Sequence, residues 1–224
     1  MKLKRFGLLT SLTILFATAS GLAQDSPKIE ITPYVGYTFS EGISIDPIDI
    51  GNGQIANELT PTSAFSWGAE FDYLLNDNWY VGFNYAVQDS TLQIQLQSSG
   101  ERELTDMHVR NYHGIFGYNF GPGDSPVRPY IFGGLGATDY SPSDIMGQNV
   151  DGATKFSTTW GGGVKLYAGK NFGFRLGGRW TPTYINSTAD GIWCSPYYPW
   201  GCWVVGNANY SNQFEMSGGV IFRF

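Results

Sequence analysis

Bulky apolar residues alternate with small or polar ones over long stretches of this chain. A period of two admits only β-strands with two unlike faces. In Ser66–Tyr73, Trp67, Ala69, Phe71 and Tyr73 alternate with Ser66, Gly68, Glu70 and Asp72. Beyond Asn76-Asp77-Asn78, Trp79, Val81, Phe83, Tyr85 and Val87 alternate with Tyr80, Gly82, Asn84, Ala86 and Gln88. Trp160, Gly162, Val164 and Leu166 oppose Thr159, Gly161, Gly163 and Lys165, and Phe172, Phe174, Leu176, Gly178 and Trp180 oppose Gly173, Arg175, Gly177 and Arg179. The last stretch sets Phe214, Met216, Gly218, Val220, Phe222 and Phe224 against Glu215, Ser217, Gly219, Ile221 and Arg223. Ile29–Phe39 gives a first strand, with Ile29, Ile31, Val35 and Tyr37 on one face and Glu30, Thr32 and Gly36 on the other. Nine or more alternating residues suffice to cross a hydrocarbon layer at a tilt.

Two further segments, His108–Phe120 and Arg128–Tyr140, carry aromatics on both faces, which leaves their facing open and suggests a bulge. The expected total is eight strands, an even number that returns both termini to one side. The connections alternate in length. Asn76–Asn78, Gly121–Val127 and Gly169–Asn171 are short, whereas Ser40–Thr62, Asp89–Glu103, Ser141–Thr154 and Asn186–Asn209 are long and polar. Short turns on one rim and long loops on the other predict an all-β, eight-stranded, antiparallel up-and-down transmembrane barrel with periplasmic turns and external loops.

The N-terminus is of another kind. Lys2, Lys4 and Arg5 precede the apolar or small run Phe6–Ala19, and Gly21 and Ala23 supply the small residues of a cleavage site. Residues 1–23 are therefore expected to be a signal peptide and residues 24–224 one barrel domain. The run is too short for a spanning helix. Cleavage leaves ten basic residues against nineteen acidic ones, a net charge of −9, which argues against nucleic acid as a partner. A mean hydropathy of −0.17 resembles that of a soluble protein, but a barrel strand turns only every second side chain to lipid. The 30 Gly, 15 Phe, 14 Tyr and 7 Trp with only 14% charged residues suit strands with a greasy face and a crowded interior.

Alternation alone does not say which face is inside. A soluble ligand-binding barrel such as a lipocalin would turn the aromatic face inward. The clean aromatic faces carry no charge, however, and their Trp and Tyr residues gather near strand ends, where a membrane girdle belongs. In Pro129-Tyr130 with Gly133-Gly134-Leu135-Gly136, the run Trp160-Gly161-Gly162-Gly163-Val164, and Val220-Ile221-Phe222-Arg223-Phe224, the chain resembles the small outer-membrane β-barrel family typified by the OmpA transmembrane domain, OmpX and OmpW. The resemblance covers essentially all of residues 24–224. It implies a Gram-negative outer-membrane location among lipid and lipopolysaccharide, and assembly by machinery that reads a C-terminal aromatic residue, which Phe224 matches. The sequence stops at the last strand, so no peptidoglycan-binding domain like that of full-length OmpA is expected.

On that reading Glu30, Glu70, Asp72 and Glu215 meet Lys165, Arg175, Arg179 and Arg223 in a narrow lumen, where unpaired charge is costly and cross-barrel pairing is expected. Such a network serves either as a packed polar plug or as the gate of a small conductance path; an eight-stranded interior is just wide enough for side chains. The lumen-facing glycines would make room for the Arg and Lys stems. Cys194 and Cys202, the only cysteines, should form a disulfide in an oxidising compartment. They close a loop carrying Trp193, Tyr197, Tyr198, Trp200 and Trp203, which could grip an extracellular sugar or protein or fold down as a lid.

Enzymes occur on such barrels, but only His108 and His113 are available here, and five residues apart on a strand they face opposite ways. His108 could pair with Asp106, although no nucleophile accompanies them, and both histidines are expected at the surface near loops. Neither a metal set nor a phosphate loop is present, so no catalytic residue, metal or cofactor is expected. The expected role is a non-enzymatic anchor that presents external loops for envelope structure, surface contact or adhesion. A small channel for ions or hydrophobic molecules is the alternative, and a lipid-modifying barrel enzyme a third.

Overall fold

The computed structural model describes residues 27–49, 55–96, 100–143, 152–185 and 210–224. Ten strands are present: β1 (Ile29–Ser40), β2 (Ile43–Asp49), β3 (Ile55–Pro61), β4 (Ala64–Leu74), β5 (Trp79–Leu96), β6 (Gly100–Asn119), β7 (Val127–Pro142), β8 (Ala153–Tyr167), β9 (Phe172–Tyr184) and β10 (Tyr210–Arg223). Eight of them close the barrel in the order β1-β4-β5-β6-β7-β8-β9-β10, every pair antiparallel, with β10 returning to β1. The seam runs from Glu30↔Arg223 to Ser40↔Gln213. Closure leaves the barrel wall without a free edge.

The facing of the strands decides between a membrane barrel and a soluble one. Phe65, Leu135 and Met216 are 60, 63 and 70% exposed, and Val35, Trp67, Phe83, Phe116, Trp160, Leu176 and Phe214 are exposed with them around the whole circumference. A soluble protein rarely exposes a contiguous apolar patch beyond a few hundred Å². The inward positions carry the polar groups instead: Glu30, Lys165 and Arg128 are completely buried. The lipocalin-like arrangement is thereby excluded.

Two of the long connections are not loops. Ser40–Thr62 contains the β2–β3 hairpin, and β3 pairs with β5 from Ala56↔Leu96 to Pro61↔Leu92, directly beyond the stretch of β5 that β4 covers. Asp89–Glu103 is mostly strand, because β5 and β6 stay paired as far as Leu96↔Gly100. The reason lies in Leu92, Ile94 and Leu96, which alternate with glutamines and bury their side chains on the inward face. A polar average hid a two-faced ribbon. The long rim is thus a wall that outruns the membrane band.

β6 and β7 pair without interruption from Met107↔Pro142 to Asn119↔Tyr130, so no bulge separates the faces of these two strands. Aromatics occur on both sides because Tyr130, Phe132 and Tyr140 point inward, while Tyr112 and Phe116 point out. The irregularity lies higher, where the register of β5 against β6 shifts after Leu92 and Leu104 is the extra residue. The glycines serve these inward rings as much as the Arg and Lys stems: a Cβ on Gly117 would lie 2.2 Å from the Tyr80 ring, and one on Gly177 2.2 Å from the Tyr130 hydroxyl. Leu74, Tyr80, Ile115, Tyr130 and Phe132 form one inward apolar cluster.

Candidate functional site

The lumen is organised as two charged walls facing each other. Glu30 on β1, Glu70 and Asp72 on β4 and Glu215 on β10 lie side by side across their strands, for Glu30 is the register partner of Asp72. Opposite them, β7, β8 and β9 carry Arg128, Lys165, Arg175 and Arg179, with Arg128↔Lys165 and Lys165↔Arg175 as register partners. Like charges placed directly opposite destabilise a sheet. Pairing crosses the barrel from Lys165 to Glu30 and Asp72 and from Arg175 to Glu70, while Arg179–Glu215 and Arg223–Glu30 join register partners on neighbouring strands.

The pairs lie in layers. Towards the short-turn end, Lys165 Nζ donates to Glu30 Oε2 at 2.6 Å and to Asp72 Oδ2 at 3.4 Å. Arg223 approaches Glu30 at 3.1 Å, and the Tyr167 hydroxyl donates to the same carboxylate at 2.8 Å. In the middle layer Arg175 binds Glu70 and donates from Nε to the Tyr130 hydroxyl at 2.6 Å. Arg179 binds Asn84 and reaches Glu215 at 2.8 Å, which also accepts from Ser66 at 3.1 Å. The rings below the cations add to this: Lys165 Nζ lies 4.6 Å from the Tyr80 centroid and the Arg175 guanidinium 4.5 Å from that of Tyr130.

The next layer is neutral. Gln213 donates to Gln88 at 3.1 Å, Asn111 to Gln213 at 3.4 Å, and Thr138 to Asn111 at 2.7 Å. His113 is fully buried here with Nε2 2.9 Å from the Ser157 hydroxyl, and so is not a surface group. Its strand position faces the axis, and the alternation that separated it from His108 gave no hint of depth. His108 is exposed and pairs with Asp89 at 2.6 Å rather than with Asp106, because Asp89 is its cross-strand partner whereas Asp106 lies two residues along the same strand. Beyond this layer the interior turns apolar, with Leu59, Leu92, Ile94, Met107, Val109, Tyr140 and Ile185 each at most 2% exposed.

The space left in the charged layers is small. A cavity of about 10 Å³, bounded by Tyr34, Glu70, Asn84, Arg175, Arg179 and Glu215, is at the lower limit for one water. All eight lumen residues singled out from the sequence are brought together in this network. Tyr34, Asn84, Tyr130 and Tyr167 join it. Asn84 was legible on the polar side of its alternation, whereas Tyr34, Tyr130 and Tyr167 were masked by being aromatic. Arg128 caps the short-turn end by donating from Nη2 to the Asp77 carbonyl. Among the described residues no group of His, Cys, Asp and Glu is placed to hold a metal.

Phe224 lies at the seam, where its N–H donates to Ile29 O at 2.9 Å and its carbonyl accepts from Lys28 N at 2.9 Å. Residues 1–23, the Cys194–Cys202 pair and Trp193, Tyr197, Tyr198, Trp200 and Trp203 lie outside the described residues.

A closed eight-stranded barrel with a lipid-facing apolar surface and a packed polar axis is now in view, and residues 10–212 match the model of the outer membrane protein beta-barrel domain. The chain belongs to this outer-membrane β-barrel family. Membership implies the Gram-negative outer membrane as its location. Solved structures share the fold. Neisserial surface protein A aligns with a TM-score of 0.55 at 16% identity, covering 88% of this chain and 97% of its own. OprG from Pseudomonas aeruginosa aligns at 0.53 and 15%, covering 90% and 98%. The outer membrane protein AlkL aligns at 0.53 and 13%, covering 90% and 93%. None of the curated proteins matches the sequence.

Proposed function

We propose that this family member is a non-conducting, non-enzymatic anchor whose barrel holds its external β-extensions and loops at the cell surface, for envelope structure, surface contact or adhesion. The observation that carries the reading is the plugged axis. Four acidic and four basic side chains pair inside the lumen, three of the five ion pairs crossing it, around a cavity of about 10 Å³. A hydrated ion crossing it would have to separate buried ion pairs, each costing about 3–5 kcal/mol to break by loss of one partner. Neither histidine is placed for catalysis on lipid or protein: His113 is sealed inside, and His108 stands on the outer face beside Asp89.

The proposal extends to parts beyond the described residues. The leader is removed after Ala23, Cys194 and Cys202 form a disulfide, and the aromatic loop they close contacts an extracellular sugar or protein. Lipopolysaccharide surrounds the external half, and the barrel-assembly machinery inserts the chain. The deciding experiment is planar-bilayer recording of the refolded mature protein. A flat baseline is expected, and discrete steps are expected only when Arg175→Gly and Arg179→Gly are combined. Regular single-channel steps from the unaltered protein would instead assign it to the small channels.

A further inference from the structure

We propose that the lipid-facing wall between β6 and β8 binds one phospholipid with an ammonium headgroup from the periplasmic leaflet. The wall is not smooth. Phe116 and Tyr118 on β6 line one side and Trp160 on β8, whose ring lies over Gly133, the other, with Ile131 of β7 between them. The resulting apolar groove has a volume of about 740 Å³, in the range of a ligand site. Trp79 stacks on Phe116 with centroids 4.9 Å apart and stiffens one side.

At its lower end the groove runs into a second hollow of about 440 Å³, sharing Trp79 and Tyr118 with it and bounded otherwise by Asn76, Asp77 and Asn78. Those three residues form the short β4–β5 turn, which faces the periplasm in this kind of barrel. Apolar above and polar below, the pair of hollows follows the profile of a single lipid, from acyl chain to headgroup. The two asparagines are occupied by the turn itself: Asn76 Oδ1 accepts from the Asn78 and Trp79 N–H groups, and Asn78 Nδ2 donates to Asn119 O and Gly121 O.

Among the described residues, Asp77 is the only charged side chain lining the hollow. The cation beneath the turn, Arg128, is fully buried and spends its Nη2 on the Asp77 carbonyl. A carboxylate at this position favours an ammonium headgroup and repels a purely anionic one. Trp79 and Tyr118, which line both hollows, carry an indole N–H and a hydroxyl able to donate to a phosphate.

The test is native mass spectrometry of the refolded mature protein released from nanodiscs of equimolar phosphatidylethanolamine and phosphatidylglycerol. One retained phosphatidylethanolamine is expected, favoured about threefold, as befits an exposed ion pair. Asp77→Asn should bring that ratio to about one at unchanged heat-modifiable migration. Gly133→Leu should lower retention of both lipids, since a Cβ there would lie 2.8 Å from the Trp160 ring and push it into the groove. Phe116→Ala, which removes a ring from the opposite side, serves the same purpose if Gly133→Leu fails to insert. Equal retention of the two lipids by the unaltered protein, a preference that survives Asp77→Asn, or a dimer in place of the lipid-bearing monomer would overturn the proposal.

Discussion

Lys165 holds the charged axis together more than any other side chain. It is fully buried, donates to both Glu30 and Asp72, and among the described residues is the only cation paired with Asp72, whereas Glu30 keeps Arg223 and Tyr167 as well. Lys165→Met therefore leaves a buried carboxylate uncompensated and is expected to cost about 3–5 kcal/mol in urea unfolding from detergent or lipid. Arg223→Met should cost clearly less, because Lys165 continues to neutralise Glu30. Adding Asp72→Leu to Lys165→Met should recover part of the loss, since an apolar pair of similar volume avoids the desolvation of both charges. Additive losses in that double variant would show that the pair is not coupled.

Among the elements, the β2–β3 hairpin is the most separable. β1 pairs with β4 directly through ten register positions, so the barrel does not depend on the chain between them. The two ends of the insert already meet, with Ser40 N donating to Ser63 Oγ at 3.3 Å. Replacing residues 42–61 by a two-residue Asn-Gly turn is expected to preserve heat-modifiable migration, which is read on an unboiled gel. The external end of β5 should then become protease-sensitive, because Leu92 and Ile94 lose Pro61 and Leu59 as partners. A barrel that no longer forms would refute the view that the hairpin rides on the wall.

For the molecule as a whole, closure and insertion are distinct events, and Phe224 separates them. Its seam contacts to Lys28 and Ile29 use backbone N–H and carbonyl groups, which any residue supplies. Phe224→Asp is accordingly expected to spare refolding into detergent micelles while reducing outer-membrane insertion in cells severalfold, measured by fractionation. Equal insertion would remove the side chain from the assembly signal.

How much of this was legible beforehand follows from what alternation reports. Strand identity, the short turns and the outward set from Val35 to Met216 came from residue type at period two, because lipid selects one face of each ribbon directly. The lumen charges were legible for the same reason: Glu70, Lys165 and Arg175 stand opposite apolar neighbours on strands that must hide them. Inward aromatics were not legible. Tyr34, Tyr130 and Phe132 differ in no local respect from lipid-facing rings, and only the glycines on nearby strands make room for them. Nor could the extension of β5 and β6 be read from a glutamine-rich stretch whose average polarity resembles a loop.

By itself the sequence determined that the chain forms long two-faced strands, that their count suits a closed barrel, and which side chains must avoid lipid. Those are consequences of local composition. Which carboxylate meets which cation was decided only by the tertiary structure, since Glu30 and Lys165 are 135 residues apart and meet across a diameter that exists once the eight strands have closed. Pairing across a lumen depends on register and shear, quantities that belong to the whole circumference and to no single strand.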